Sequence, residues 1–205
     1  TAVNNQASAG TPTAGGRYNW GTTPATDRAL GVMTSGSYAS PNSIMAYYRN
    51  TNSIMMSDLT ISYNLERYRV NSAAASVQFY YSTDGSTWTA VTAGDVAAAS
   101  IPTGASSYTF ATPLTVPVTF TITGINIDPG NDIYLRWNLN TVGSNSQGIG
   151  IDDVSLTGAF SSTCTDPVAQ ATDIVITNPS TTGYTVSWTA GSPSSGTMVV
   201  VRQTA

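Results

Sequence analysis

The chain has 205 residues, 40% hydrophobic and only 9% charged, with a net charge of −4. Seven Arg, eleven acids and no basic cluster give no footprint for nucleic acid. No apolar run approaches the roughly 18–20 residues of a membrane-spanning helix, and the apolar content is too high for a disordered chain.

An ordinary domain carries roughly 25% charged residues. Here Ser, Thr, Asn and Gly supply the polar surface, and Lys is absent. That surface suggests a processed extracellular or cell-surface chain, without a signal peptide of its own. Cys164 stands alone and forms no internal disulfide. No Asn-x-Ser/Thr acceptor with an allowed middle residue occurs, since Pro179 follows Asn178. A bacterial source fits this better than a eukaryotic glycoprotein. With no His and one Glu, the chain is not expected to be an enzyme.

In chain order, the apolar pattern has period two. In "DLTISYNL", Leu59, Ile61, Tyr63 and Leu65 alternate with Thr60, Ser62 and Asn64. Glu66 follows, and the ordinary expectation for it is a surface ion pair, with Arg136 as a cross-strand candidate. A general-acid role for Glu66 lacks a second carboxylate beside it. In "SVQFYYS", Val77, Phe79 and Tyr81 share a face. "YYSTDGSTW" resembles an Asp box one residue short, and reads as a hairpin with Asp84-Gly85 at its turn and Trp88 packed beneath. "GDVAAAS" holds the one candidate helical turn. "VTFTITG" and "DIYLRWNL" alternate again, with Ile133, Leu135, Trp137 and Leu139 opposite Tyr134, Arg136 and Asn138.

The run "GIGIDDVSLTG" breaks this rule. Ile149 and Ile151 have one parity, Val154 and Leu156 the other. A flip within a strand requires an extra residue, a β-bulge at Asp152-Asp153. Without it the two carboxylates point to opposite faces and make no catalytic dyad. With it they suit a hard cation such as Ca²⁺, which takes six to eight oxygens. The alternative is that one Asp caps a neighbouring loop.

Near 159–170 the alternation stops, and "DIVITN", "YTVSWTA" and "TMVVVRQ" begin a new pattern. It resembles the first strands of a fibronectin type III domain, cut short of the usual length of about 100 residues. The expected organisation is an all-β chain: an antiparallel β-sandwich (jelly roll) over 1–160, a linker over 161–168, and the first strands of a fibronectin-III-like sandwich over 169–205.

The segments "RYNWGTTPATDRALGVMTSGS", "LTISYNLERYR", "PGNDIYLRWN" and "SNSQGIGIDDVSL" together resemble a Bacteroidota-type jelly-roll domain of secreted and surface proteins. The closing "IDDV" is also similar to that of MAM-like domains and calcium-containing carbohydrate-binding modules. The resemblance implies a structural calcium that ties the last strand to the N-terminal segment, with Asp152 or Asp153, and Asp27, as candidate ligands. Ser146-Gln147 stands where relatives often carry an acidic or His-containing loop.

Tyr47, Tyr68, Tyr80 and Tyr134 have the parity opposite the core set, so they are candidate sugar-stacking aromatics. The alternative is that they cover a sheet face. Together these features point to a non-catalytic adhesion or carbohydrate-binding module of a larger bacterial protein. Its partner would be a glycan or a cell-surface protein. The alternatives are a structural module that self-assembles through unpaired edges, and an accessory domain of a secreted hydrolase.

Overall fold

A computed structural model describes residues 10–23, 27–161 and 169–192. The chain divides into two compact units, residues 1–162 and 163–205. Among its described residues the first holds ten strands: β1 (Gly16–Trp20), β2 (Ala29–Met33), β3 (Asn42–Arg49), β4 (Met56–Val70), β5 (Ser76–Ser82), β6 (Thr89–Ala90), β7 (Ser107–Tyr108), β8 (Leu114–Ile122), β9 (Asp132–Asn140) and β10 (Gly148–Phe160). One sheet runs β1-β2-β10-β4, with β7 and β8 both paired to β4; the other runs β3-β9-β5-β6. Apart from β1 and β7, four strands (β2, β10, β4, β8) face four (β3, β9, β5, β6), and every pairing is antiparallel. That strand order is a jelly roll.

The period-two runs become strands because each puts one apolar row inside. Ile61, Tyr63 and Leu65 of β4 meet Phe79 of β5 and Leu135 and Trp137 of β9 in one buried cluster. Its centre is aromatic: Trp137 lies edge-on to Tyr63 and Phe79, with ring centroids at 5.9 and 5.2 Å. Pro117 is tolerated in β8 because, among the described residues, β8 is an edge strand paired with β4 alone. "GDVAAAS" overlaps two single 3-10 turns, Thr92–Gly94 and Ala98–Ser100.

The parity break in β10 is a bulge. Asp152 pairs with Asn64 and Ser155 with Ser62, so three steps along β10 match two along β4. Asp153 takes a φ of 50° to make it. Beyond the bulge Leu156 packs on the core, but Val154 lies on the bulge itself and is exposed.

A second, smaller core sits on the outer face of the β1-β2-β10-β4 sheet. Trp20, Ala29, Met33 and Tyr68 are buried there, with Tyr18, Tyr108 and Phe110 against them. This corrects the expectation for Tyr68. Its parity is outward, but Trp20 stacks on it at 5.9 Å and only 3% of it is exposed, so it offers no face to a sugar.

The second unit contains β11 (Thr172–Thr177) and β12 (Thr185–Thr189), an antiparallel pair with Ile174, Ile176 and Trp188 exposed. "TMVVVRQ", Cys164 and Pro167 lie outside the described residues.

Candidate functional site

The outer face of the β3-β9-β5-β6 sheet carries the unburied rings of Tyr47, Tyr80 and Tyr134, with Trp88 in the loop beside it. Strand register sets it out in rows. Ser43, Asn138 and Gln78 form one row, Met45, Arg136 and Tyr80 the next, and Tyr47, Tyr134 and Ser82 the third. Arg49 and Asp132 close the face. The alternate residues Ile44, Ala46, Leu135, Trp137, Val77 and Phe79 face the core, which fixes these outward positions.

Tyr47 and Tyr134 meet at 6.0 Å between ring centroids, and 66% of Tyr47 is exposed. Beside them Arg49 donates to both Asp132 oxygens, at 2.8 and 3.1 Å. The guanidinium holds the Asp132 carboxyl below the usual range, chiefly through that hydrogen bonding. In the first row, Ser43 Oγ donates to Asn138 Oδ1 at 2.6 Å. A cavity of about 550 Å³ opens at the Tyr134 end, lined by Arg49, Asp84, Asn126, Asn131, Asp132 and Tyr134 among others.

The loop after β5 borders the face. It closes the expected β5–β6 hairpin, with residues 83–88 between the strands and Asp84-Gly85 within the turn. Asp84 organises it. Its Oδ1 accepts the backbone N–H groups of Ser86 and Thr87 at 2.8 and 2.7 Å and the Ser82 hydroxyl at 2.8 Å. The Thr87 and Ser86 N–H bonds push its carboxyl far below the usual range. Gly85, at φ 73°, lies so close to Tyr134 that a Cβ would stand 3.2 Å from the ring. Trp88 packs under the guanidinium of Arg136, 4.2 Å from ring centre to Cζ, and Tyr80 lies 4.6 Å from the same Cζ.

Arg136 therefore does not pair with Glu66, which sits on the other sheet. Glu66 is buried and accepts the hydroxyl proton of Tyr68. Burial first, and that bond second, raise the Tyr68 phenol.

No protein-family profile matches the chain, and no curated protein matches it. Solved structures that resemble its outline include the following three. A CBM4 module is 14% identical over 64% of this chain and 84% of its own, with a TM-score of 0.36. A CBM61 module solved with β-1,4-galactotriose is 13% identical over 64% and 71%, at 0.37. The N-terminal cellulose-binding domain of a Cellulomonas fimi β-1,4-glucanase is 17% identical over 69% and 88%, at 0.35. Likeness at this level concerns the arrangement of strands and no residue of the site.

Of the candidate metal ligands, Asp152 and Asp153 lie on β10 of the opposite sheet, and Asp27 lies in the connection just before β2. Asp152 Oδ1 accepts the Asp153 N–H at 2.8 Å, and Asp153 Oδ2 accepts Asn64 Nδ2 at 2.8 Å. Partial burial pushes the Asp152 carboxyl up to about 6; the Asp153 N–H opposes this, and the like charges of Glu66, Asp153 and Asp27 add to it. Among the described residues, no three His, Cys, Asp or Glu side chains group as a metal centre.

Tyr47, Tyr80 and Tyr134 thus share one face, and Tyr68, Asp27, Asp152 and Asp153 do not belong to it. Arg136, Trp88, Gln78 and the Arg49–Asp132 pair were not among the expected site residues. For Arg136 the signal was present, since it shares its parity with Tyr134 and Asn138 in "DIYLRWNL".

Proposed function

We propose that the first unit is a non-catalytic carbohydrate-binding module whose ligand lies across the β3-β9-β5-β6 face. The carrying observation is the pair of exposed Tyr47 and half-buried Tyr134 beside a polar cavity, with Asn138, Gln78 and Arg49 around it. Aromatic rings offer apolar faces to a sugar's C–H groups, and the amides and charged groups fix its hydroxyls. Catalysis is disfavoured at this face. Its carboxylates, Asp84 and Asp132, are both held ionised by donors, so neither can act as a general acid near neutral pH.

Affinity electrophoresis against neutral and acidic polysaccharides tests this reading. Retardation by at least one polysaccharide, abolished in Tyr47→Ala and Tyr134→Ala with unchanged melting temperature, supports it. No retardation by any, from folded protein, overturns it. Concentration-dependent assembly in that case would favour a structural module, for which the exposed Met45, Tyr47 and Tyr48 on edge strand β3 are the nearest support.

The wider setting is part of the proposal: a secreted or surface protein of bacterial type, the second unit being the start of a fibronectin-III-like domain, with a parent adhesin or hydrolase. Calcium is a separate proposal. Asp152 offers a half-buried carboxylate whose like-charged neighbours a cation would relieve. Backbone and water oxygens would have to complete the shell.

A further inference from the structure

Arg136 stands at the centre of the proposed binding face with its charge uncompensated. Its guanidinium stacks on Tyr80 and Trp88. A cation held over ring faces uses no oxygen or nitrogen acceptor, so the N–H donors of the group have no such partner. Among the described residues it makes no ion pair, and its Nε is buried without a hydrogen-bond partner. The two carboxylates of this region are taken: Asp132 by Arg49, and Asp84 by Ser82, Ser86 and Thr87. Arg49 shows the contrast, since both ends of its fork are already filled by Asp132.

A guanidinium fixed by two rings is a planar fork of the geometry that a carboxylate or sulfate takes bidentately. Same-face residues on a strand are about 6.6 Å apart, twice the rise per residue. A sugar ring stacked on the Tyr47–Tyr134 row therefore has its substituents at the Arg136 row. We propose that this face takes an anionic polysaccharide, with Arg136 receiving the carboxylate or sulfate of a sugar whose ring lies on Tyr47 and Tyr134. This rests on the carbohydrate-binding reading and names its ligand class.

The test compares one backbone with and without charge. The full chain is titrated by calorimetry with polygalacturonate, with its fully methyl-esterified counterpart, and with dextran sulfate. The expected result is that polygalacturonate or dextran sulfate binds at least about tenfold more tightly than the ester. Arg136→Gln should erase that preference, and Arg136→Lys should restore part of it. Whichever acid responds to Arg136→Gln identifies carboxylate or sulfate as the ligand group.

Equal binding of acid and ester overturns the inference and leaves the carbohydrate reading standing. So does acidic binding that Arg136→Gln does not weaken, which would be diffuse charge attraction. Binding to none of these, nor to neutral glycans, overturns both. Should Arg136→Gln fail to fold, Arg136→Lys against the parent decides, because the ammonium keeps the charge and loses the fork.

Discussion

Trp20 donates its indole N–H to the carbonyl of Ile149, 3.2 Å away and 129 residues along the chain. This bond joins the N-terminal hairpin to the closing strand, and it explains the glycines of "GIGIDD". Cβ atoms on Gly148 and Gly150 would stand 2.9 and 3.2 Å from the indole. The bare stretches of β10 and β2 are the bed of Trp20.

Gly31 is the tightest point of that bed. A Cβ there would lie 2.1 Å from the Ile149 carbonyl oxygen and 2.6 Å from the indole. Backbone cannot yield as a side-chain tip can, so Gly31→Ala must separate β2 from β10. The expected cost is about 3 kcal/mol or more, the upper end for overpacking. Gly36→Ala, with nothing within 4 Å, should stay within about 0.5 kcal/mol of the parent. Equal urea midpoints for the two variants would remove this account of Trp20.

Gln147 is a structural polar residue, fully buried. Its Nε2 donates to the carbonyls of Ala73 and Ile101, both at 3.2 Å, and its Oε1 accepts from Arg67. Gln147→Ala strands the buried Ile101 acceptor, at about 1–3 kcal/mol, and the part-buried Ala73 acceptor at less. Gln147→Glu is more informative, because it sets a carboxylate against two carbonyls. Protonation restores one donor, so the melting temperature of Gln147→Glu should recover towards the parent's as pH falls. A constant gap between the two across pH 4–8 would show that the amide donors do not matter.

Asp152 gives a pH dependence of opposite sign to that of a salt-bridged Asp. Its folded value of about 6 lies above its ordinary 3.8. Between these the folded chain keeps a proton that the unfolded chain has lost. The stabilisation is therefore full below 3.8 and disappears as pH rises through about 6. Asp152→Asn stays neutral and can still accept the Asp153 N–H, so its advantage in melting temperature should grow from pH 4 to pH 7 and then level off. Calcium adds a second measurement. If the ion binds, it stabilises by mass action and EDTA lowers the parent's melting temperature at pH 8. No response to EDTA sets the calcium proposal aside.

Period two made the sandwich legible. Leu59 to Leu65 and Ile133 to Leu139 declare their inner faces without help, and the parity flip locates the bulge at Asp152-Asp153. Parity says which way a side chain leaves its strand, however, and not what covers it. Tyr68 and Tyr134 read alike in sequence. One is buried because Trp20, from a hairpin some fifty residues upstream, folds over it; the other stays accessible. Arg136 and Trp88 come together through the strand order β9-β5-β6, which no local pattern encodes. Glu66 and Arg136 could be paired on paper only because the sequence does not say that they occupy different sheets.

The loop of residues 83–88 ties the turn chemistry to the proposed site. Asp84 holds the Ser86 and Thr87 N–H groups, and the next residue, Trp88, supports Arg136. Asp84→Ala removes the acceptor of the Ser86 and Thr87 N–H groups and of the Ser82 hydroxyl, and leaves Tyr47, Tyr134 and Arg136 themselves unaltered. Hydrogen exchange at Ser86 and Thr87 should accelerate, Trp88 should become more accessible to acrylamide quenching, and the core strands should keep their protection. If Arg136 receives the ligand, Asp84→Ala should also weaken binding of the acidic polysaccharide, while Tyr47 and Tyr134 stay in place. Asp84→Asn keeps an acceptor oxygen and should fall between Ala and the parent. Unchanged exchange at Ser86 and Thr87 in Asp84→Ala would show that the loop is held by something other than this carboxylate.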